Sequence, residues 1–318
     1  MEARQAEGVR SSPFSDGLGP AAVYFLFRAG AAIAEKLPLG LGDLVARWGG
    51  ALAYTFAREK RRIVRKNLAR VIGDDRELDG VVKSAFESYA RYWLETFRVG
   101  RYSAADISRM VECETTNVLE RALASKRGVV IATAHFGFYD LAVSWLGVTG
   151  FPLTAVAEVL RPRALYEWFT SIRTKRGIGV IPASPKDEAM RSQMEVLRSG
   201  GGLALLSDRN LGRRGIWADL FGEATTVPAG PPLLVARTGA VLLSGAMYST
   251  ESGFRLDFEE IPYELSGDEG ADAGSIAQTI ALAIEDIVRK APEQWHLFGT
   301  NWPSDEPHLP PRGAGDRP

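Results

Sequence analysis

The sequence predicts an α/β chain: a largely parallel sheet flanked by helices, preceded by a helical N-terminal part. Two patterns carry this expectation. Residues 20–100 place apolar side chains at helical spacing almost throughout, whereas residues 101–302 alternate short apolar runs with helical stretches. Strands separated by helices cannot pair through tight hairpins, so they run parallel and are covered on their faces.

Taken in order, residues 1–19 are rich in Gly, Pro, Ser and charge and read as a disordered start. Helices follow near 21–36, 42–57, 59–71 and 77–99. The last has Val81, Val82, Phe86, Tyr89, Trp93, Leu94 and Phe97 at helical spacing. The strand-like runs of the α/β part are GVVIATA, PLTAVAE, GIGVIP, GLALLSD, AVLLSGAMY and FRLDFEEI. Helices are expected between them near 138–149, 162–176, 187–198 and 230–238, and a final one near 271–290. The last two runs, joined by STESG, suit an antiparallel hairpin at one edge. Residues 303–318 read as a disordered tail, which sets His308 aside.

Composition excludes several function classes. With 46% hydrophobic residues, 24% charged and a net charge of −1, the chain carries no overall bias toward a polyanion partner. One cysteine, Cys113, excludes an intrachain disulfide and a cysteine-rich metal site, and fits an intracellular compartment. No secretory signal is expected at the N-terminus. The longest apolar stretch, residues 21–34, is too short to span a bilayer and is interrupted by Arg28, so it suits a helix lying on a surface. Residues 58–70 hold seven Lys or Arg and one Glu, with Ile63, Val64 and Leu68 interleaved and no aromatic residue for base stacking. That pattern reads as a solvated basic helix or, beside the apolar helices, as a dock on anionic lipid, and no nucleic-acid partner is expected. The chain lacks a G-x-S-x-G elbow, a Walker A loop, H-E-x-x-H and a complete G-x-G-x-x-G.

The run ATAHFGFYDLA carries the chemistry. His135 leaves a strand and Asp140 falls in the first turn of the next helix, with Gly137 allowing the chain to turn between them. Either Asp140 accepts the Nδ1 proton of His135 and leaves Nε2 free as a base, or the pair is a satisfied strand-end histidine beside a helix-capping Asp. The first reading suits acyl transfer, with His135 taking the proton of an incoming hydroxyl. Asp208 ends another strand, and in such sheets ligands bind beyond the carboxyl ends of strands, so His135 and Asp208 are candidates to face the same crevice.

In ATAHFGFYDLAVSWL the chain resembles the bacterial acyltransferases that carry His-x4-Asp/Glu, the group of lipid A and phosphatidylinositol mannoside acyltransferases. FPLTAVAEVLRPRALYEWFTSIRTKRGIGVIP, the stretch from LRSGGGLALLSDRNLGRRG through AGPPLLVARTGA, and EQWHLFGTNW agree in the same order. The resemblance covers roughly residues 20–302. Asp140 in place of Glu, LTAVAEVLRP and SDRNLGRRG are more similar to the mannoside enzymes, whereas Phe138-Tyr139 stands where the group usually has Asn-Trp.

The resemblance implies a peripheral enzyme on the cytoplasmic face of the cell membrane that moves a fatty acyl group from acyl-CoA, its co-substrate, to a glycolipid hydroxyl. With one Cys and two usable His no zinc site is expected, and no cofactor is expected beside the co-substrate. The resemblance makes His135 and Asp140 the base and its orienting acid, Asp208 with Arg209 the family's acidic–Arg pair, and Arg173 the arginine of an R-x3-G element. From these follow an oxyanion site at the N–H groups around Gly137 with Arg173, an Asp208 that orients Arg173 or the acceptor sugar, and phosphate contacts by Arg209, Arg213 and Arg214. FGEATTVPAGPPLL is expected to wall the acyl or acceptor site, and His296 to be structural. A lipid A-type or lysophospholipid acyltransferase, or a non-catalytic lipid-binding scaffold of the same fold, is the rival reading.

Overall fold

In the computed structural model, which describes residues 12, 14, 16–74, 76–210, 215–250 and 253–305, four helices come first. They are α1 (Leu18–Lys36), α2 (Leu39–Phe56), α3 (Arg58–Ile72) and α4 (Leu78–Arg98). Next come α5 (Ala104–Met110), β1 (Val111–Glu112), α6 (Thr116–Ala124), β2 (Val129–Thr133), α7 (Tyr139–Val148) and β3 (Leu153–Ala157). The chain continues through α8 (Arg163–Thr174), β4 (Gly179–Pro182), α9 (Lys186–Arg198) and β5 (Gly202–Leu206). It ends with β6 (Gly215–Leu220), β7 (Glu223–Pro228), α10 (Gly230–Thr238), β8 (Val241–Ser249), β9 (Phe254–Glu260) and α11 (Glu269–Lys290).

Seven strands form the main sheet in the order β1-β9-β8-β2-β5-β3-β4. The joints from β8 to β4 are parallel, and β9 pairs antiparallel with β8. The expected mostly parallel sheet and its edge hairpin are therefore present. Central β2 reads V-V-I-A-T because both its faces are covered. Val130 and Ala132 face one core with Leu203, Leu205 and residues of α11, and Val129 and Ile131 face a second core with Leu141 and Trp145 of α7.

Three regions differ from expectation, the first being residues 104–124, where no element is expected and α5, β1 and α6 form. Residues 215–228, which contain none of the expected strands, form a separate antiparallel hairpin of β6 and β7. The two end segments were read as disordered, yet Leu18 and Gly19 already belong to α1, and Pro303–Asp305 form a short helical turn. Most of both segments, with His308, and also Arg213 and Arg214, lie outside the described residues.

The N-terminal helices pack small side inward. Gly42, Ala46 and Gly50 repeat every four residues along α2 and are buried, which allows helix axes to approach closely. A Cβ on Gly50 would fall 2.5 Å from Cα of Glu87 in α4. Arg98, 2% exposed, closes the corner by donating to the carbonyls of Ala34, Leu37 and Pro38, which end α1. With small residues inside, the large ones point out: Phe25, Leu26 and Ile33 on α1, and Leu44, Trp48 (65% exposed) and Phe56 (77% exposed) on α2. Among the described residues no helix is long and apolar enough to cross a membrane.

The basic helix α3 directs most of its basic side chains to partners within the molecule. Lys60 and Arg61 donate to the carbonyls of Phe298 and Tyr54. Arg65 pairs with Asp74 and Asp79, Lys66 with Asp305, and Arg70 with Glu223 and Asp305. Arg65, Lys66 and Arg70 thus meet acids, Lys60 and Arg61 meet neutral carbonyls, and contacts from Lys60, Lys66, Asn67 and Arg70 make α3 a clamp on residues 297–305.

Replacing Gly50 with Ala is expected to destabilise the chain by about 1–3 kcal/mol through overpacking against the α4 backbone, measured by urea unfolding. Ala at the open position Gly49, where a Cβ meets nothing within 4 Å, should be neutral or mildly stabilising by comparison.

Candidate active site

Strand register builds the site. In the parallel β2–β5 pair, Thr133 lies opposite Leu206, so the residues two steps beyond each strand end, His135 and Asp208, come side by side. His135 Nδ1 and Asp208 Oδ1 are 2.8 Å apart. Asp208 is 0% exposed, and the remaining oxygen, Oδ2, accepts the Trp295 indole N–H at 2.9 Å. Asn301 donates to the Asp208 backbone carbonyl at 3.0 Å. A carboxylate so placed is an acceptor only, so Nδ1 carries the proton and Nε2 is left with a lone pair toward the cavity.

This corrects the expected pairing, because Asp140 does not bond to His135. Asp140 lies in the first turn of α7, where its Oδ1 accepts from Arg173 at 2.5 Å and its Oδ2 from the Tyr92 hydroxyl at 3.0 Å. Asp208 in turn holds His135 rather than Arg173, so the two acids exchange the partners the sequence suggested. Tyr92 has one proton. It goes to the charged Asp140, and the Tyr139 hydroxyl then donates to Tyr92. Burial first, and the Asp140 charge next, push the hydroxyls of Tyr92 and Tyr139 above the ordinary tyrosine range. The Asp140 charge holds the Arg173 guanidinium above its usual value despite burial.

Gly137 is required, though not for the role expected of it. Its φ is +55°, and a Cβ there would fall 1.8 Å from the Met247 carbonyl oxygen. Its N–H donates to the Gln294 carbonyl at 2.8 Å and so is not free to bind an oxyanion. Arg209 is half-buried against Gly299, and its charge bears on His135.

Burial alone would lower the pKa of His135. The Asp208 charge and hydrogen bond outweigh it, and the net shift is upward. Burial would raise Asp208, but His135 and Trp295 hold it below the usual carboxylate range. His296 is buried and, as expected, structural: its backbone N–H donates to the His135 carbonyl at 2.7 Å and its Nε2 lies 3.0 Å from Ser88 Oγ. Burial, then the His135 charge, push it down to about 3, so it stays neutral.

Beside His135 lies a cavity of about 270 Å³. Its floor is one face of the sheet, where small residues stand in line: Ala155, Ala157, Ala204 and Gly245. Small side chains on one face of adjacent strands leave a trough, which α7 and α8 roof. The cavity runs from β3 to β9, ending at Leu256 and Phe258. That is four inter-strand spacings, about 19 Å. His135, Asp140, Arg173, Tyr139 and Glu158 supply the polar side of its wall. Residues 221–238 do not line it, so the expected wall from FGEATTVPAGPPLL is absent; α10 packs on α11 and the sheet instead. Among the described residues no three His, Cys, Asp or Glu side chains are grouped to hold a metal.

Tyr92, Trp295 and Asn301 belong to the site but carried no local signal. Tyr92 sits in a long amphipathic helix, and the other two sit in the EQWHLFGTNW segment, where order along the chain says nothing about which strand end they meet.

Residues 18–304 match the family described as bacterial lipid A biosynthesis acyltransferase. The chain is 30% identical over 285 residues to the phosphatidylinositol mannoside acyltransferase of Mycolicibacterium smegmatis, covering 88% of this chain and 91% of that one. It is 32% identical over 247 residues to the protein of the same name from Mycobacterium tuberculosis, covering 76% and 77%. It is 26% identical to the lipid A biosynthesis palmitoleoyltransferase of Escherichia coli, covering 77% and 79%.

The site makes a spectroscopic prediction. In 15N-labelled protein, His135 should titrate above the ordinary histidine value of about 6.5 and keep its proton on Nδ1 when neutral. Asp208→Asn removes the cause that raises the pKa and leaves burial, so the titration should move below that value. Asp140→Asn should leave the Nδ1 proton in place.

Proposed function

We propose, from the premise that this chain belongs to the bacterial lipid A biosynthesis acyltransferase family, that it is an acyl-CoA-dependent O-acyltransferase acting on a glycolipid, with a mannose hydroxyl of a phosphatidylinositol mannoside as acceptor. The observation that carries this is His135: Nδ1 is tied to a buried carboxylate, and the other nitrogen faces a long apolar cavity.

The step follows from that arrangement. His135 Nε2 takes the proton of the acceptor hydroxyl as its oxygen attacks the thioester carbonyl carbon. The C–S bond then breaks, and the His135 imidazolium returns the proton to the departing thiolate. Asp208 stabilises the imidazolium and fixes the tautomer without taking the proton itself. The N–H groups that open α7 suit the oxyanion in place of the occupied Gly137 N–H. Asp140 and Arg173 offer an acceptor and a donor side by side, which suits the hydroxyl pairs of a sugar ring. Arg209 is a candidate for a donor phosphate.

The cavity supports a long-chain acyl group. The hydrocarbon core of a bilayer is about 30 Å thick, so one leaflet's chains occupy about 15 Å, comparable with the span from β3 to β9. Both substrates carry lipid, and the outward apolar faces of α1 and α2 offer a dock on the cytoplasmic surface of the cell membrane. Three of the seven basic residues of α3 are paired with acids, and the four others keep a positive charge that supports docking on anionic lipid beside these apolar faces. The mannoside acceptor is favoured over lipid A because the mannoside acyltransferases are more similar to this chain.

The test is purified enzyme in detergent given labelled palmitoyl-CoA with either acceptor. Mannoside should be labelled and lipid A precursor should not; labelling of the precursor alone, or transfer only from acyl carrier protein, would overturn the assignment. His135→Ala should lose transfer by at least about 10³-fold. Ala204→Phe, which fills the trough, should shift preference to shorter acyl-CoA while leaving short-chain turnover within a fewfold of the parent. Unchanged chain-length preference would remove the trough as the acyl site.

A further inference from the structure

We infer that Trp295 is a positioning residue for the His135–Asp208 pair, fixing the carboxylate so that one oxygen alone faces the imidazole. The inference rests on reading His135 as the base.

The geometry is specific. Asp208 is wholly buried and presents two oxygens. Oδ1 meets His135 Nδ1 at 2.8 Å and Oδ2 meets Trp295 Nε1 at 2.9 Å. An indole N–H is a donor only, so unlike a water or a hydroxyl it cannot reverse its bond to take a proton from the carboxyl. Its direction is also set by packing, since the Trp295 ring is 1% exposed and wedged between Phe221 and Trp302, with centroids 5.5 and 6.3 Å away.

The same short segment holds the other partner. Trp295 bridges to Phe136, the Gln294 carbonyl accepts the Gly137 N–H, and the His296 N–H donates to the His135 carbonyl. Base and acid thus hang on one strap, residues 294–296, and their separation does not depend on sheet register alone. The strap is itself tied to α3, where Asn67 donates to the carbonyls of Leu297 and Gly299 and Lys60 donates to that of Phe298.

The proton balance gives a readout that packing alone would not move. Without the indole N–H the ionised carboxylate is less stabilised and attracts the His135 proton more strongly. The neutral imidazole needed for turnover then appears only at higher pH. Trp295→Phe keeps an aromatic ring and removes the donor. Turnover should fall on the order of tenfold, the scale of one hydrogen bond to a charged group. The acid limb of the pH–kcat profile should move up by as much as about one unit, with KM for acyl-CoA and acceptor unchanged. A loss of turnover with the limb unmoved would mean that the ring only packs, and would overturn the inference, as would an unchanged enzyme.

If the variant does not fold, the parent answers. Among the seven tryptophan indole N–H signals of 15N-labelled protein, one should follow the His135 titration and vanish from that position in Asp208→Asn. No indole signal following it would overturn the proposal. His135→Ala is assayed in parallel: activity surviving there removes the base reading, whereas an inactive His135→Ala beside an unshifted Trp295→Phe profile removes only the role of Trp295.

Discussion

The hydrogen bond between His135 Nδ1 and Asp208 Oδ1 is the constraint on which the site depends, and it is a product of sheet register. Two parallel strands, each followed by the same two-residue overshoot, bring an imidazole and a carboxylate together across 73 positions of chain. A slip of one residue would turn every side chain of β2 to the opposite face, so the buried faces that fix register also fix the chemistry. Burying Asp208 completely is tolerable because both its oxygens and its backbone carbonyl have donors; removing any one leaves a charge or a dipole unsatisfied in the core.

Much of the fold was legible because it is written in local periodicity. Runs such as GVVIATA and GLALLSD are continuous and apolar since both faces of a central strand are covered, and the helices between them show their own period. The hairpin of β6 and β7 was not, because GIWADL and EATTVP alternate weakly and sit beside a glycine- and arginine-rich stretch that reads as loop. The basic run of α3 was legible as a helix but not as a clamp, since its partners Asp305 and Glu223 lie more than 150 residues away.

For the site, the residues were legible and their pairing was not. His-x4-Asp is a local pattern, and it suggested a local bond. Asp140 is instead turned by α7 toward Tyr92 and Arg173, while the partner of His135 comes from the next strand of the sheet. Side chains close in sequence are separated by the helix start, and side chains far apart are joined by the strands. Trp295 and Asn301 complete the arrangement from a segment with no secondary-structure signal of its own.

A division of labour follows. The cavity floored by Ala155, Ala157, Ala204 and Gly245 is the acyl site of the proposed function, His135 stands in its wall, and Asp140 with Arg173 forms a second polar pair there. The two acids are thus separated by partner, Asp208 holding His135 and Asp140 taking Arg173 and Tyr92, and in the proposed function the first supports the base while the second meets the acceptor. The most direct test is to measure, on one preparation each of Asp208→Asn and Asp140→Asn, both thioester hydrolysis by water and transfer to mannoside acceptor. The account predicts that Asp208→Asn loses both by about 10³–10⁴-fold, while Asp140→Asn keeps hydrolysis and loses transfer. Hydrolysis lost in Asp140→Asn and retained in Asp208→Asn would contradict it.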